Sequence, residues 1–381
     1  MEQIPFNRLS PQHDASVDDA LLSVVRDDWF ILGKRVQTFE TQFADFTGVK
    51  NCIGTGNGHD ALVLALHGLG IGAGNPTSND AAEVLVPANT CTATWLAISN
   101  AGCIPVPVEP DPDTLSIDPF AIEKSISSRT RAVMPVHLYG NPCDMGPIMA
   151  LAQKHNLLVI EDNAQAHGAT LRLKGSSQDQ VTGSFGHANA TSFYPTKNLG
   201  ALGDGGAVTT NDDLVASRIR IARNYGYSSR DVCDMIGVNS RLDEMQASVL
   251  SVKLRRLQEW NQRRRLIASR YNQLLSGCGD LKLQKTTDGG THVYHLYVIQ
   301  TNHRDKLQKH LTSKGIQTMI HYPVPAHLQK AYQDLGYKQG SFPIAERASE
   351  QILSLPLWIG MSDDQILKVA EETKRFFGER L

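Results

Sequence analysis

Short apolar runs alternate with helical patterns through the first two-thirds of the chain, and this alternation restricts the possible folds more than any other feature. Four runs are rich in valine and isoleucine and are bounded by Gly, Pro or Asn: 83–87, 104–108, 131–136 and 157–161. Helix-like segments separate them, at 60–69, 92–101 and 147–155. Because the runs are almost continuously apolar, they are typical of strands that are covered on both faces. We therefore predict an α/β fold with a mostly parallel, helix-covered sheet.

The pattern changes near residue 239. A long amphipathic helical region follows at 242–275, and then a strand-like run at 293–300 and helices at 304–314 and 363–377. A chain of 381 residues is long enough for two domains. We predict a large domain over residues 1–250 and a small C-terminal α+β domain over residues 251–381.

Composition and charge exclude several classes of partner. The 37 basic and 39 acidic residues give a net charge of −2, which predicts no field that attracts nucleic acid or anionic lipid. The one basic cluster, at 263–265, is expected to be the solvated side of a long helix rather than a binding patch. No apolar run approaches the roughly 20 residues of a membrane span, and the N-terminus lacks the pattern of a secretory signal. The six scattered cysteines favour free thiols over disulfides or a metal site. These features predict a cytoplasmic protein without a metal.

Lys197 lies among small, aromatic and glycine residues, in the run Ser-Phe-Tyr-Pro-Thr-Lys-Asn-Leu-Gly (192–200). Surface lysines are usually found among other charges and helix formers. A lysine in an enclosed pocket is a nucleophilic amine with a lowered pKa, which suits Schiff-base chemistry with an aldehyde. Alone, this lysine is only a hint of such chemistry.

Two further segments could surround an aldehyde cofactor. Asp162 follows a buried strand, where ligand-binding residues collect in open α/β sheets. An acid there could hold a protonated ring nitrogen, but an Asp is equally favoured as a helix N-cap. The glycine-rich turn at 54–62 runs into a helix whose start could bind a phosphate, although a tight turn without a ligand is the alternative. It matches neither the ATP-binding P-loop nor the dinucleotide fingerprint.

Taken in order, these pieces resemble the fold type I enzymes that use pyridoxal 5′-phosphate. The chain is specifically similar to the DegT/DnrJ/EryC1/StrS family of nucleotide-sugar aminotransferases. Motifs of that family occur from end to end: Trp-Phe-Ile-Leu-Gly-Lys (29–34), Val-Pro-Ala-Asn-Thr (86–90), Pro-Val-Glu-Pro-Asp (107–111), Val-His-Leu-Tyr-Gly (136–140), the Asp162 and Lys197 segments, and Gly-Val-Asn-Ser-Arg-Leu-Asp-Glu (237–244). The resemblance implies a seven-stranded large-domain sheet and aminotransferase activity.

The resemblance also implies roles for three residues around the reacting end of the cofactor. Lys197 would form the Schiff base with pyridoxal phosphate and would later move the proton between cofactor and substrate carbons. Asp162 would pair with the pyridine nitrogen, and Gln165 would hydrogen-bond the phenolic oxygen. Family members that perform dehydration carry a histidine at the lysine position, so Lys197 argues against that activity.

The phosphate would be held from two subunits. The backbone amides of Gly58 and His59 and the hydroxyl of Ser192 match the family's phosphate ligands. Asn239 matches a position that reaches the phosphate of the neighbouring subunit, which implies a homodimer with composite active sites. The alternatives are that the Ser192 hydroxyl is hydrogen-bonded to the backbone and that Asn239 is an ordinary turn residue.

Two positions depart from the family pattern. Cys91 stands where many relatives place an aromatic ring that stacks on the cofactor, and a thiol cannot supply that stacking. His59 replaces the commoner threonine, so a side-chain hydroxyl to the phosphate is lost while the backbone N–H remains. Neither change removes an atom that transamination requires.

The substrate is indicated by a closer resemblance within the family. The segment 315–329, together with Asn57-Gly58 and 342–346, resembles the subgroup that acts at C3 of dTDP-3-oxo-6-deoxyhexoses. That subgroup takes its amino group from glutamate and makes dTDP-3-amino-3,6-dideoxyhexoses, which we associate with lipopolysaccharide O-antigen. Tyr194 and His321 are the candidate sugar contacts, although His321 could equally be a histidine satisfied at a domain interface. A C4 aminotransferase acting on a 4-ketosugar, and a non-catalytic regulator on the same fold, remain as alternatives.

Overall fold

A seven-stranded sheet lies at the centre of the fold, in a computed structural model that describes residues 3–72 and 81–379. The helices are α1 (Ala15–Asp27), α2 (Lys34–Thr47), α3 (Gly58–Gly68), α4 (Thr92–Asn100), α5 (Pro119–Ser125), α6 (Met145–His155), α7 (Asp213–Ala222), α8 (Glu244–Leu254), α9 (Leu257–Leu275), α10 (Arg304–Ser313), α11 (Pro343–Gln351) and α12 (Asp363–Phe376). The strands are β1 (Asn51–Thr55), β2 (Glu83–Pro87), β3 (Ile104–Val108), β4 (Thr130–Val133), β5 (Leu158–Asp162), β6 (Thr170–Leu171), β7 (Gln180–Val181), β8 (Ala188–Ser192), β9 (Gly206–Thr210), β10 (Tyr227–Ser229), β11 (Val232–Cys233), β12 (Lys282–Leu283), β13 (Gly290–Thr291), β14 (Tyr297–Gln300) and β15 (Ile352–Leu355). Within these two ranges, no helix has both the length and the apolar character needed to cross a membrane.

The central sheet has the strand order β1-β9-β8-β5-β4-β2-β3. The five strands from β8 to β3 pair in parallel, and β9 runs antiparallel to both of its neighbours. The predicted mostly parallel, seven-stranded sheet is therefore confirmed. The four apolar runs correspond to β2, β3, β4 and β5, but the sequence interpretation missed β1 and β8. Strand β8 reads Ala-Asn-Ala-Thr-Ser, which lacks the branched apolar residues that identify the others.

Helices bury both faces of this sheet. On one face, α3 packs with Val84, Ile160 and Val208 in a core that also receives α4 and α7. On the other face, Leu85 and Val159 pack with α5 and α6. Neighbouring residues on one strand thus enter different cores, which explains why the strands are apolar almost throughout.

The C-terminal part of the chain has its own core. Helices α9, α10 and α12 pack against β14 and β15, and Ile4 from the N-terminal segment joins them. The backbone N–H of Ile4 donates to the carbonyl oxygen of Gly315 at 2.8 Å. The long helical region expected at 242–275 is two helices, α8 and α9, so the predicted boundary after residue 250 falls inside α8. The division into domains 1–250 and 251–381 stays a prediction.

The basic cluster at 263–265 lies on α9, as the sequence predicts, but it is not uniformly solvated. Arg264 is only 2% exposed, and its Nη1 donates to the carbonyl oxygen of Tyr294 at 3.2 Å. Burial lowers the pKa of its guanidinium to about 10. The expectation of a solvated face was therefore wrong for Arg264, because the helix side that carries it faces the protein interior.

Candidate active site

A cavity of about 110 Å³ opens where strands β5 and β8 end. Strands β1, β5 and β8 run in the same direction, so their carboxyl ends meet at one edge of the sheet. Six of the seven residues predicted to hold the cofactor line this cavity: Gly58, His59, Asp162, Gln165, Ser192 and Lys197. The fold therefore brings together residues that are up to 139 positions apart in the sequence (197 − 58).

The turn that carries Lys197 is fixed at both of its ends. Phe193 follows β8 directly and is fully buried, with its ring edge-on to that of Phe43 at a centroid distance of 5.3 Å. At the other end, the carbonyl oxygen of Gly200 accepts a hydrogen bond from the buried Nζ of Lys253 at 2.8 Å. A ring contact at one end and a hydrogen bond at the other thus fix the turn that places Lys197 on the wall of the cavity.

The surroundings of Lys197 favour its neutral amine. Burial lowers the pKa of Lys197, while the charge on Asp162 acts against this shift. Two buried histidines close by are also kept neutral: burial lowers the pKa of His167 to about 3 and the pKa of His295 well below its usual range. A desolvated, unprotonated amine is the reactive form in Schiff-base chemistry.

Asp162 is 5% exposed and lies at the end of β5. Its Oδ2 accepts a hydrogen bond from Thr94 Oγ1 at 2.9 Å, and its Oδ1 accepts one from the backbone N–H of Ala164 at 3.1 Å. Burial raises the pKa of this carboxyl, and both hydrogen bonds and the nearby Lys197 charge oppose that rise. Turns follow Asp162, so the helix N-cap alternative is wrong. A carboxylate accepts about four hydrogen bonds, which leaves room for a protonated ring nitrogen.

Gln165 is held by tyrosines on either side. Its Oε1 accepts a hydrogen bond from the backbone N–H of Tyr139 at 2.6 Å, and its Nε2 donates to the hydroxyl of Tyr322 at 3.1 Å. An amide nitrogen carries two hydrogens, so one N–H remains for a ligand in the cavity.

The phosphate end of the cavity is formed by the start of α3. A Cβ on Gly58 would lie 2.5 Å from Cβ of Ser192, so only glycine allows the helix to approach the end of β8 so closely. Asn57 caps the helix by accepting a hydrogen bond from the backbone N–H of Asp60 at 2.8 Å. First-turn N–H groups of a helix have no partner within it, and together with the helix dipole they favour a phosphate.

The side chain of His59 and the predicted residues outside the cavity are arranged differently. The Nε2 of His59 lies 3.0 Å from Nδ2 of Asn100. Tyr194 is 52% exposed and Asn239 is exposed; neither is among the residues that line the cavity. His321 lines a smaller neighbouring cavity, with its Nδ1 2.9 Å from the hydroxyl of Ser354. Burial and the Lys197 charge lower the pKa of His321 to about 4.

Three residues of the site were missed by the sequence interpretation: Thr94, Tyr139 and Tyr322. Thr94 belongs to the start of α4, which the motif at 86–90 precedes, and Tyr322 lies inside the segment 315–329 that indicated the substrate. Tyr139 lies inside the motif at 136–140, so a signal was present in all three cases, but sequence alone does not show which side chain takes part in the site.

The residues of the cavity fit pyridoxal 5′-phosphate in their chemistry. They provide an amine for the aldehyde, an acid for the ring nitrogen, an amide for the phenolic oxygen and a helix start for the phosphate. In the described ranges no three His, Cys, Asp or Glu side chains are grouped as a metal site requires.

Comparison with known proteins extends the likeness to the whole chain. A model of the DegT/DnrJ/EryC1/StrS aminotransferase family matches residues 11–374. The chain is 46% identical to the dTDP-3-amino-3,6-dideoxy-alpha-D-galactopyranose transaminase of Aneurinibacillus thermoaerophilus, over 98% of this chain and 99% of that protein. It is 42% identical to the dTDP-3-amino-3,4,6-trideoxy-alpha-D-glucose transaminase of Streptomyces venezuelae, over 98% and 96% of the two chains. The crystal structure of S. venezuelae DesV, 42% identical, matches all of both chains with a TM-score of 0.94.

Proposed function

The chain belongs to the DegT/DnrJ/EryC1/StrS aminotransferase family, and from that membership we propose that it transfers an amino group from glutamate to C3 of a dTDP-3-oxo-6-deoxyhexose. The product is a dTDP-3-amino-3,6-dideoxyhexose. Enzymes of this family depend on pyridoxal 5′-phosphate. The observation that carries the proposal is that Lys197 and Asp162 line one cavity, in a chain whose two relatives above are both named for 3-amino dTDP-sugars.

Each residue of the cavity has a separate task in this reaction. Bound pyridoxal phosphate supplies an aldehyde that condenses with amines and a ring that accepts electrons from a breaking C–H bond. Lys197 Nζ, kept neutral by burial, accepts a proton from the substrate carbon and later returns it. Asp162 would hold a positive ring nitrogen, with Thr94 keeping its carboxylate in place. The amide of Gln165 would donate to the phenolic oxygen, and the start of α3 at Gly58 would hold the phosphate.

We further propose that the enzyme is a homodimer in which Asn239 completes the phosphate site of the partner subunit. The surface around Asn239 supports this proposal, because it is unusually apolar for an exposed region. Ile236 is 99% exposed and Val238 is 42% exposed. Phe30 is also exposed, at 43%. It lies nearby, because its carbonyl oxygen accepts a hydrogen bond from the backbone N–H of Glu244. Apolar residues exposed together indicate an interface.

Co-expression of two inactive variants, Lys197→Ala and Asn239→Ala, tests the composite site. In the mixed dimer, one site combines the lysine of one subunit with the asparagine of the other, and both are intact there. We expect amino transfer to return in the mixed dimer while each parent dimer stays impaired. If Asn239 serves its own subunit, no intact site forms and the mixed sample stays as impaired as its parents.

Incubation with glutamate and separate 3-keto and 4-keto sugars, each as the dTDP and GDP form, tests the substrate. Products identified by mass and NMR distinguish C3 from C4 amination, and a product aminated at C4 would overturn our assignment. Lys197→Ala should abolish transfer and the visible absorbance of the lysine-bound cofactor. Lys154→Ala, a surface lysine whose side chain is 62% exposed, is the matched control and should change neither. A non-catalytic regulator, the remaining alternative, predicts no product from any sugar.

The place of the reaction in the cell and the finished glycan also remain proposals. All six cysteines are free, as expected of a protein from a reducing compartment, and this supports a cytoplasmic enzyme. The association of the product with lipopolysaccharide O-antigen stays a prediction.

A further inference from the structure

The amide of Gln165 is part of a closed ring of hydrogen bonds. The backbone N–H of Tyr139 donates to Gln165 Oε1, and Gln165 Nε2 donates to the hydroxyl of Tyr322. The hydroxyl of Tyr139 in turn donates to the carbonyl oxygen of His321, the residue directly before Tyr322, at 2.6 Å. Gln165 is 5% exposed and Tyr139 is 1% exposed. The ring therefore fixes the orientation of the amide at the wall of the cavity.

The backbone of Tyr139 is shaped for this ring. Its φ of 62° lies in the left-handed region, which a bulky residue adopts only where its surroundings hold it there. This conformation accompanies the N–H bond to Gln165. The carbonyl side of the amide is thereby assigned to Tyr139, and the nitrogen side is left to Tyr322 and the cavity.

Tyr322 brings the other side of the ring into the cavity. It lines the same cavity as Lys197 and Asp162, although it lies far along the chain from both. Burial raises the pKa of this phenol well above its usual range, and the neighbouring Cys91 and Tyr139 act in the same direction. The hydroxyl is therefore a neutral group that accepts a hydrogen bond from Gln165.

We propose that Tyr322 is a positioning residue for the cofactor: its hydroxyl holds Gln165 so that the second N–H of the amide points at the phenolic oxygen. The proposal rests on the proposed function, in which Gln165 donates to that oxygen. Gln165 would thus contact the cofactor directly, and Tyr322, which lies outside the large-domain motifs, would hold it in place.

The effect on the cofactor has a definite direction. A hydrogen-bond donor at the phenolic oxygen favours its anionic form and so lowers the pKa of the lysine-bound cofactor. Removing the Tyr322 hydroxyl loosens that donor. We therefore expect Tyr322→Phe to raise the pH midpoint of the visible absorbance by about half a unit or more, and to weaken pyridoxal phosphate binding about threefold to tenfold.

The test is a double-mutant cycle with Tyr322→Phe and Gln165→Ala, measured on holoenzyme by absorbance against pH and on apoenzyme by cofactor titration. If Tyr322 acts through Gln165, Tyr322→Phe changes nothing further in the Gln165→Ala background. Tyr332→Phe is the matched control. That tyrosine is also buried and also bonds a hydroxyl, Ser99 Oγ at 3.4 Å, but outside the cavity, so midpoint and affinity should stay at wild-type values.

Two results would overturn the proposal: an unchanged midpoint and affinity in Tyr322→Phe, or effects of the two substitutions that simply add. Addition would mean that Tyr322 contacts the cofactor independently of Gln165. Difluorotyrosine at 322 keeps the ring and weakens the oxygen as an acceptor, so it provides a second variant if Tyr322→Phe does not fold. If the wild-type protein transfers no amino group, the proposed function is overturned instead. The absorbance titration does not measure amino transfer, so the two failures are distinguished.

Discussion

Replacing Lys253 by methionine should remove a pH dependence of stability that the wild-type protein has above neutral pH. Lys253 is 1% exposed, and its Nζ donates to the carbonyl oxygen of Gly200 in the turn that carries Lys197. Burial lowers its pKa from 10.5 to about 8, with no acidic group contributing to the shift. The ammonium is therefore a buried charge that a carbonyl oxygen alone compensates, and such a charge destabilises the folded state.

The sign and size of the effect follow from these two pKa values. Between about pH 8 and pH 10.5 the unfolded chain keeps a proton that the folded chain has lost, so the free energy of unfolding rises with pH. The full shift is about 2.5 units (10.5 − about 8), or about 3 kcal/mol. Integration over the range from pH 7 to pH 9.5 gives about 2 kcal/mol of this gain. The methionine variant lacks it.

The assay is urea unfolding of holoenzyme at pH 7 and at pH 9.5, with protein and cofactor concentrations fixed. The stability of Lys253→Met relative to wild type should fall by about 2 kcal/mol between the two pH values. The carbonyl oxygen that methionine leaves unpaired costs about the same at both, so it cancels in this comparison. Lys154→Met, at a lysine that is exposed and paired with Glu123, should show no such change. Parallel behaviour of Lys253→Met and wild type would refute the reasoning.

Three further outcomes are expected. Thr94→Val removes a hydrogen-bond donor to Asp162 and so raises the pKa of that carboxyl. Cofactor affinity should therefore fall about threefold to tenfold, more at pH 6 than at pH 8, and Thr94→Ser should restore it. An equal loss of affinity at both pH values would contradict the electrostatic role. Gly58→Ala places a Cβ 2.5 Å from its neighbour at the end of β8, so cofactor titration should show binding at least about tenfold weaker, and unchanged binding would mean that the helix start can move. Ile236→Asp puts a charge on the proposed interface and should shift the sedimentation of the protein toward that of a monomer. Leu214 is 60% exposed on α7, and Leu214→Asp should leave the dimer intact. If both variants sediment as dimers, Ile236 does not belong to the interface.

Predictions from sequence succeeded where a local pattern of residues has only one structural explanation. Strands β2 and β3 were predicted with the bounds that the structure has, because a short run of apolar residues bounded by turn residues is typical of a strand that is covered on both faces. The position of Asp162 was predicted for a similar reason: an acid at the end of a buried strand lies at the edge where parallel strands end, and Asp162 is the last residue of β5. Its role toward the cofactor stays a prediction. Lys197 and Gly58 needed the resemblance to the family, since a lone lysine and a glycine turn each allow several structures.

The parts that were missed depend on contacts between distant segments. Strand β8 consists of small and polar residues, and the start of α3 packs closely against its end, where a Cβ on Gly58 would lie 2.5 Å from Cβ of Ser192. A strand that consists of small residues lacks the run of branched apolar residues from which the other strands were predicted. Tyr322 was missed because its function depends on reaching a cavity whose walls are built about 130 to 260 residues earlier, and no local pattern encodes that.

Burial acts on Lys197 and Asp162 in opposite directions, and this opposition explains why the site needs its other polar groups. Desolvation alone would leave both side chains neutral, since it lowers the pKa of the amine and raises that of the acid. A neutral amine suits the lysine, but a neutral acid could not hold a positive ring nitrogen. The hydrogen bonds from Thr94 and from the backbone of Ala164 favour the charged form of Asp162, so they oppose the rise that burial causes in the pKa of the acid. Both donors are neutral groups, so they support the carboxylate without adding a positive charge near Lys197.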